Sequence, residues 1–183
     1  MKKIKLLIIA AIVLITSFTV NAQKDMTFEQ MIPVRVLMPV NKDIKGDALT
    51  TLYNRLNQAV TLNGLGSSTN ENRFLIVTSV TVLSNEATAS VPVQYMAEVE
   101  VAVYFVDNTT KVILSQEMIT KKGMDSTEDK AVSKAIQQIQ ARDPKLKKLI
   151  KIGKDRAIQY YQATEGQEEN NEGEPNVSWI FEQ

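Results

Sequence analysis

From Tyr95 to Val106 the chain alternates residue by residue, and no other feature limits its fold so tightly. Tyr95, Ala97, Val99, Val101, Val103 and Phe105 make one apolar row, while Met96, Glu98, Glu100, Ala102, Tyr104 and Val106 make a mixed one. A period of two sends successive side chains to opposite faces of a strand, so the segment reads as a strand with one face buried and the other partly wet. Asp107-Asn108-Thr109-Thr110 is rich in turn formers, and Lys111 to Lys121 returns from it as a second strand. A loop of two or four residues sets Phe105 opposite Val112, Val103 opposite Leu114 and Val99 opposite Met118. That register gathers the apolar rows of both strands on one face, as a sheet buried on one side requires.

The flanking segments supply the rest of a two-layer fold. Met31 to Met38, interrupted by Pro33, reads as a first strand at a sheet margin. From Asp47, an N-cap, Leu49, Leu52, Tyr53, Leu56, Ala59 and Val60 form one helical stripe, and Asn63-Gly64 offers a left-handed stop. After a small, polar connection, Arg73 to Leu83 is β-branched and apolar on both faces near Phe74 to Val77, the pattern of a central strand. Gly123 breaks the returning strand, Ser126 and Asp129 form a capping box, and Ala131, Val132, Ala135, Ile136 and Ile139 give the next helix its stripe. Asp143-Pro144 closes that helix and opens another, which carries Leu146, Leu149, Ile150, Gly153, Ala157, Tyr160 and Tyr161 on one side and lysines and arginine on the other. Its small residues Gly153 and Ala157 permit close approach to a neighbour. The order β-α-β-β-β-α-α predicts an α/β (α+β) domain: a single mixed sheet of about four strands with helices packed mainly on one face.

At the amino end, Lys2, Lys3 and Lys5 precede an apolar run from Leu6 to Ile15, and Val20-Asn21-Ala22 matches a signal-peptidase site. The apolar run falls short of the roughly 20 residues a spanning helix needs. Residues 1–22 are therefore expected to be a signal peptide, with Gln23 the first residue of a periplasmic or secreted product. Residues 23–163 then form one α/β domain. Residues 164–183 form an acidic, disordered tail with an apolar end, Val177-Ser178-Trp179-Ile180-Phe181. That end can fold back as an edge strand, bind another chain or remain free.

Composition excludes much chemistry. The chain has no cysteine and no histidine, which removes disulfides, a lipid attachment site, the thiol nucleophile, the commonest general base and the two commonest transition-metal ligands. Basic and acidic residues number 21 each, and three of the lysines belong to the leader, so the product is mildly acidic and lacks the basic face that nucleic acid requires. The loop Asn63 to Ser68 follows a helix and has no Gly-Lys-Ser/Thr ending, so it reads as a helix cap rather than a phosphate cradle. Serines have neither a histidine nor a Ser-x-x-Lys lysine to activate them. No catalytic residue, no cofactor and no membrane span after signal removal are expected.

Two constellations remain. In the register above Glu100 lies opposite Glu117 with Glu98 on the same face, a weak candidate site for a hard cation such as calcium, unless Lys121 and other cations simply neutralise it. The mixed face also carries Met96, Tyr104, Ile113 and Ile119, and the tail carries Trp179 and Phe181. These are candidate contacts for an envelope protein or a second copy of the chain, although a helix of the same domain can cover the face instead.

The helix ending at Asn63-Gly64, the strand Arg73 to Leu83, Val99 to Val106 followed by Asp107, and Lys122-Gly123 before a helix with Ala131 and Ala135 together resemble a known small α/β domain. It is shared by the TolB amino-terminal module, the penicillin-binding-protein activator LpoB and the periplasmic part of the curli secretion protein CsgG. Gly153-Lys154-Asp155-Arg156 through Tyr160-Tyr161 also resembles the ending of exported proteins of diderm bacteria. The likeness covers residues 45 to 162. It implies that domain's fold and an envelope location, and the chain has no lipobox cysteine, propeller domain or pore-forming hairpin that would carry over more. The expectation is a non-enzymatic binding or assembly module of an envelope complex. A self-associating structural protein is the alternative, and an atypical or metal-dependent hydrolase a third.

Overall fold

The computed structural model describes residues 32–67, 70, 72–163 and 175–181. The expected signal peptide and residues 164–174 of the tail lie outside them. In chain order come β1 (Pro33–Val36), α1 (Gly46–Leu62), β2 (Gly66–Ser67), β3 (Phe74–Ala87), β4 (Tyr95–Asp107), β5 (Val112–Asp125), α2 (Glu128–Gln137), α3 (Pro144–Ala163) and a short 3-10 turn (Ser178–Ile180). The strands form one mixed sheet in the order β2-β1-β3-β4-β5, with β1 parallel to β2 and β3, and β3, β4 and β5 antiparallel. The expected α/β order therefore holds, extended by a two-residue strand beside β1.

All three helices cover one face. Leu49, Leu52, Leu56, Ala59 and Val60 of α1, Ala131, Val132, Ala135 and Ile136 of α2, and Leu146, Leu149, Ile150 and Ala157 of α3 pack with Phe74, Ile76, Val80, Val99, Val101, Val103 and Phe105 into one core. The alternation of β4 thus sorts its side chains as the sequence predicts. Two helix starts differ by a residue or two. α1 follows Lys45, and Asp47 lies in its first turn, accepting from the Ala48 N–H at 2.9 Å. α2 is capped by Thr127, whose Oγ1 accepts from the Lys130 N–H, rather than by Ser126.

The β4–β5 hairpin differs more. Its loop is Asn108 to Lys111, closed by Lys111 at a φ of 56°, so Asp107 pairs with Val112 and Val106 with Ile113. Phe105 then pairs with Ser115, which leaves Leu114 as the extra residue of a bulge. Leu114 and Ser115 are both buried, and the Ser115 hydroxyl donates to the Leu149 carbonyl at 2.8 Å. Beyond the bulge Val103 faces Glu117, Val101 faces Ile119, Val99 faces Lys121, and Glu100 faces Thr120. Nor does Gly123 end the strand: β5 runs on to Asp125, and a Cβ on Gly123 would overlap the Ala131 carbonyl and the Ala135 amide of α2. The glycine marks the closest approach of helix to sheet.

Candidate functional site

The bulge decides what the solvent-side face of the sheet contains. Cross-strand triplets run along β3, β4 and β5 as Leu75-Val106-Ile113, Val77-Tyr104-Gln116, Ser79-Ala102-Met118, Thr81-Glu100-Thr120, Ser84-Glu98-Lys122 and Glu86-Met96-Met124. The face grades from aliphatic at the hairpin turn, through small and hydroxyl side chains, to charge and methionine at the far end.

The aliphatic end is covered, and by the chain itself. Leu75, Val77 and Val106 form a second apolar cluster with Ile180, joined by half-buried Leu37, Tyr104, Ile113, Val177 and Trp179. Ile180 of the C-terminal turn is 5% exposed, whereas Phe181 is 53% exposed and sets its ring edge-on to Tyr104 at 6.0 Å. The Trp179 indole N–H donates to Asn108 Oδ1 at 3.3 Å, and the Lys111 ammonium donates to the same oxygen at 2.9 Å while lying 5.9 Å from the centre of the indole ring. Asn108 is held in turn by its backbone N–H to the Arg73 carbonyl at 2.7 Å. Beside it the fully buried Asp107 accepts from the Thr109 and Thr110 amides and pairs with Arg73 at 3.3 Å. The turn formers read in the sequence thus build a rigid platform for the only tryptophan of the chain. The apolar end docks as a 3-10 turn on the sheet face, and no edge strand forms there.

The far end is open. Met96, Met118 and Met124 are 39%, 50% and 46% exposed, and Met96 lies directly opposite Met124. Glu98 pairs with Lys122 across the strands at 3.5 Å. Met96, Tyr104 and Ile113 therefore lie on the face where the sequence places them. Ile119 does not: it points among the helices and is 2% exposed, because the bulge moved the row of β5 that looks outward. Met118 occupies the outer position instead.

The same shift separates the carboxylates. Glu98 and Glu100 stay on the outer face, but Glu117 lies on the helix side, where the Lys148 ammonium of α3 meets it at 2.6 Å. The three-glutamate cation site is thereby corrected, and among the described residues no group of three ligating side chains is placed to hold a metal. Other charges on the helix side of β5 are matched likewise, Lys121 with Asp143 at 3.1 Å and Asp125 with Lys134 at 3.0 Å. The Lys134 hydrogen bond, with those from the Ser126 amide and hydroxyl, lowers the Asp125 carboxyl from 3.8 to about 2.

β5 is also the sheet edge, and its free side is occupied. The Leu114, Met118 and Lys122 carbonyls accept from Arg156 at 2.6 Å, Lys145 at 2.6 Å and Gln138 at 2.6 Å, all reaching from the helical layer. Side chains on edge carbonyls block the addition of another strand. Among the described residues no helix is long and apolar enough to cross a membrane.

No protein-family model matches this chain, and no curated protein matches it. Among solved structures it is similar to a Helicobacter pylori homolog of a neuraminyllactose-binding hemagglutinin, at 16% identity over 73% of this chain and 91% of that one, with a TM-score of 0.41. It is similar to a minor lipoprotein of Acinetobacter baumannii at 15% identity, covering 68% of this chain and 94% of that one, with a TM-score of 0.38. A subunit of the PelC dodecamer of Paraburkholderia phytofirmans follows at 14% identity, 61% and 88% coverage and a TM-score of 0.35. Likenesses this distant assign neither a family nor a function.

Proposed function

We propose that this chain is a non-enzymatic binding or assembly module of the bacterial cell envelope, periplasmic or surface-associated, and that the open half of the outer sheet face is its partner surface. The observation that carries the reading is the exposure of Met96, Met118 and Met124 on a face that the helices leave free. Flexible, polarizable thioethers beside paired charges suit a surface that packs against another protein. The helix side chains on the β5 carbonyls favour docking on the sheet face over strand addition. The export signal expected over residues 1–22 and the sequence resemblance to the TolB, LpoB and CsgG domain support the envelope setting. Absence of histidine and cysteine from the sequence and the pairing of the buried-side carboxylates support a role without catalysis.

The test compares native complexes from envelope extracts carrying the wild type or a Met118→Glu/Met124→Glu variant. The wild type is expected in an assembly larger than a single copy, for which the 20.5 kDa of all 183 residues is the upper bound, and the variant outside it, with equal melting temperatures for the two purified proteins. A variant that stays in the assembly rejects this surface. The second reading, self-association, is favoured by one observation, the docked C-terminal turn, which every copy carries together with the groove that receives it.

A further inference from the structure

The C-terminal turn is held as a separable ligand would be. Its backbone hydrogen bonds close on itself: Ile180 N–H to the Val177 carbonyl at 3.1 Å, Phe181 N–H to the Ser178 carbonyl at 3.0 Å, and Ser178 N–H to Asn176 Oδ1 at 3.0 Å. Among the described residues its one hydrogen bond to the domain is the Trp179 indole to Asn108. Everything else is side-chain packing, with Ile180 seated against Leu75, Val77 and Val106, Trp179 under Lys111 and Phe181 against Tyr104. The turn thus keeps its shape whichever groove it occupies, and the groove recognises an aliphatic side chain between two aromatic ones rather than a continuing chain.

We infer that this groove is a docking site for the C-terminal turn of a second copy, exchangeable with the chain's own. Eleven residues, 164–174, separate α3 from Pro175, and at about 3.3 to 3.6 Å per residue they reach up to roughly 36 to 40 Å, enough to arrive at a neighbouring domain. Exchange loses none of the contacts above, since both grooves and both turns are identical. The tether keeps the chain's own turn at an effective concentration on the order of millimolar, so exchange is masked at low concentration and emerges when one partner of the internal contact is removed. This groove lies at the opposite end of the sheet face from the methionine surface, so its failure leaves that reading standing.

Complementary variants of the full chain test it. Ile180→Asp spoils the turn and leaves the groove; Ile113→Asp spoils the groove and leaves the turn. A fluorescent peptide of residues 175–183 should bind Ile180→Asp saturably and the wild type about tenfold more weakly or worse, because the wild type's own turn competes. It should not bind Ile113→Asp. At concentrations above the peptide's Kd for Ile180→Asp, each variant should sediment as a monomer alone, and the two mixed should form a one-to-one complex. Trp179→Ala and Tyr104→Ala repeat the cross if either aspartate variant loses its circular dichroism. Equal peptide binding to wild type and Ile180→Asp, no binding up to millimolar peptide, or a mixture that sediments as the sum of its parts overturns the inference. A complex that forms from Ile180→Asp alone would assign association to another surface and overturn it too.

Discussion

A Cβ on Gly153 would fall inside the Phe105 ring, so α3 rests on the sheet at a distance that only glycine allows. Gly153→Ala should cost about 1–3 kcal/mol of stability in urea denaturation, and Gly123→Ala more, because its methyl would meet the backbone of α2 rather than a movable ring. Close packing at residue 153 was legible in the sequence from its place in the apolar stripe. Gly123 was not, since a glycine that admits a helix looks the same in sequence as one that ends a strand. Thr78 is the opposite kind of residue: its Oγ1 is buried on the helix side of β3 without a hydrogen-bond partner. Thr78→Val keeps the shape and removes the orphan hydroxyl, and should stabilise the fold by about 1 kcal/mol in the same assay. Asp125 reports on pH. Its folded-state pKa is lowered from 3.8 to about 2, so the stability it contributes is present above 3.8 and is lost as pH falls through about 2. Asp125→Asn should therefore be less stable than the wild type at neutral pH, and the gap should close across that window in denaturation curves taken at successive pH values.

At the scale of elements, β5 explains both what the sequence revealed and what it hid. The alternation of β4 was enough to fix which of its side chains enter the core, because each inward position is apolar. The partner strand has no such row. Around the apolar Ile119 its inward positions include Ser115, Glu117, Lys121 and Asp125, polar groups tolerated there because Leu149, Lys148, Asp143 and Lys134 on the helical layer complete them. Pairing the apolar rows of the two strands therefore gives a register that the bulge at Leu114 forbids. It sent Ile119 outward and drew Glu117 into a cluster with Glu98 and Glu100. The signal for the true register lay in tertiary partners some 30 residues away, which alternation within a hairpin does not show. Arg156 clamps the edge at the bulge, donating to the carbonyl of Leu114 itself. Arg156→Ala should cost about 1.5–3 kcal/mol, the worth of a hydrogen bond to a charged group, read as a lower urea midpoint.

For the whole molecule, the sheet divides its duties between faces: one is consumed by the helices, and the other is closed at the hairpin turn by the chain's own end and open beyond it. The apolar character of Trp179, Ile180 and Phe181 was visible in the sequence, but their berth depends on Leu75, Val77, Tyr104, Val106 and Ile113 converging from three strands, with Leu37 from just beyond β1. Ile180→Asp should undock the turn, shift the emission of the only tryptophan to the red and leave far-ultraviolet circular dichroism nearly unchanged. A loss of the whole fold would mean that the turn is part of the core rather than laid upon it. The open half bears the central claim. Its most direct test is photo-crosslinking in envelope preparations from single positions: Met96, Met118 and Met124 on the outer sheet face, against Lys151 on the exposed side of α3. One discrete adduct shared by the three sheet positions, and none from Lys151, is expected. Adducts from Lys151 alone, or equal labelling from both faces, would contradict it.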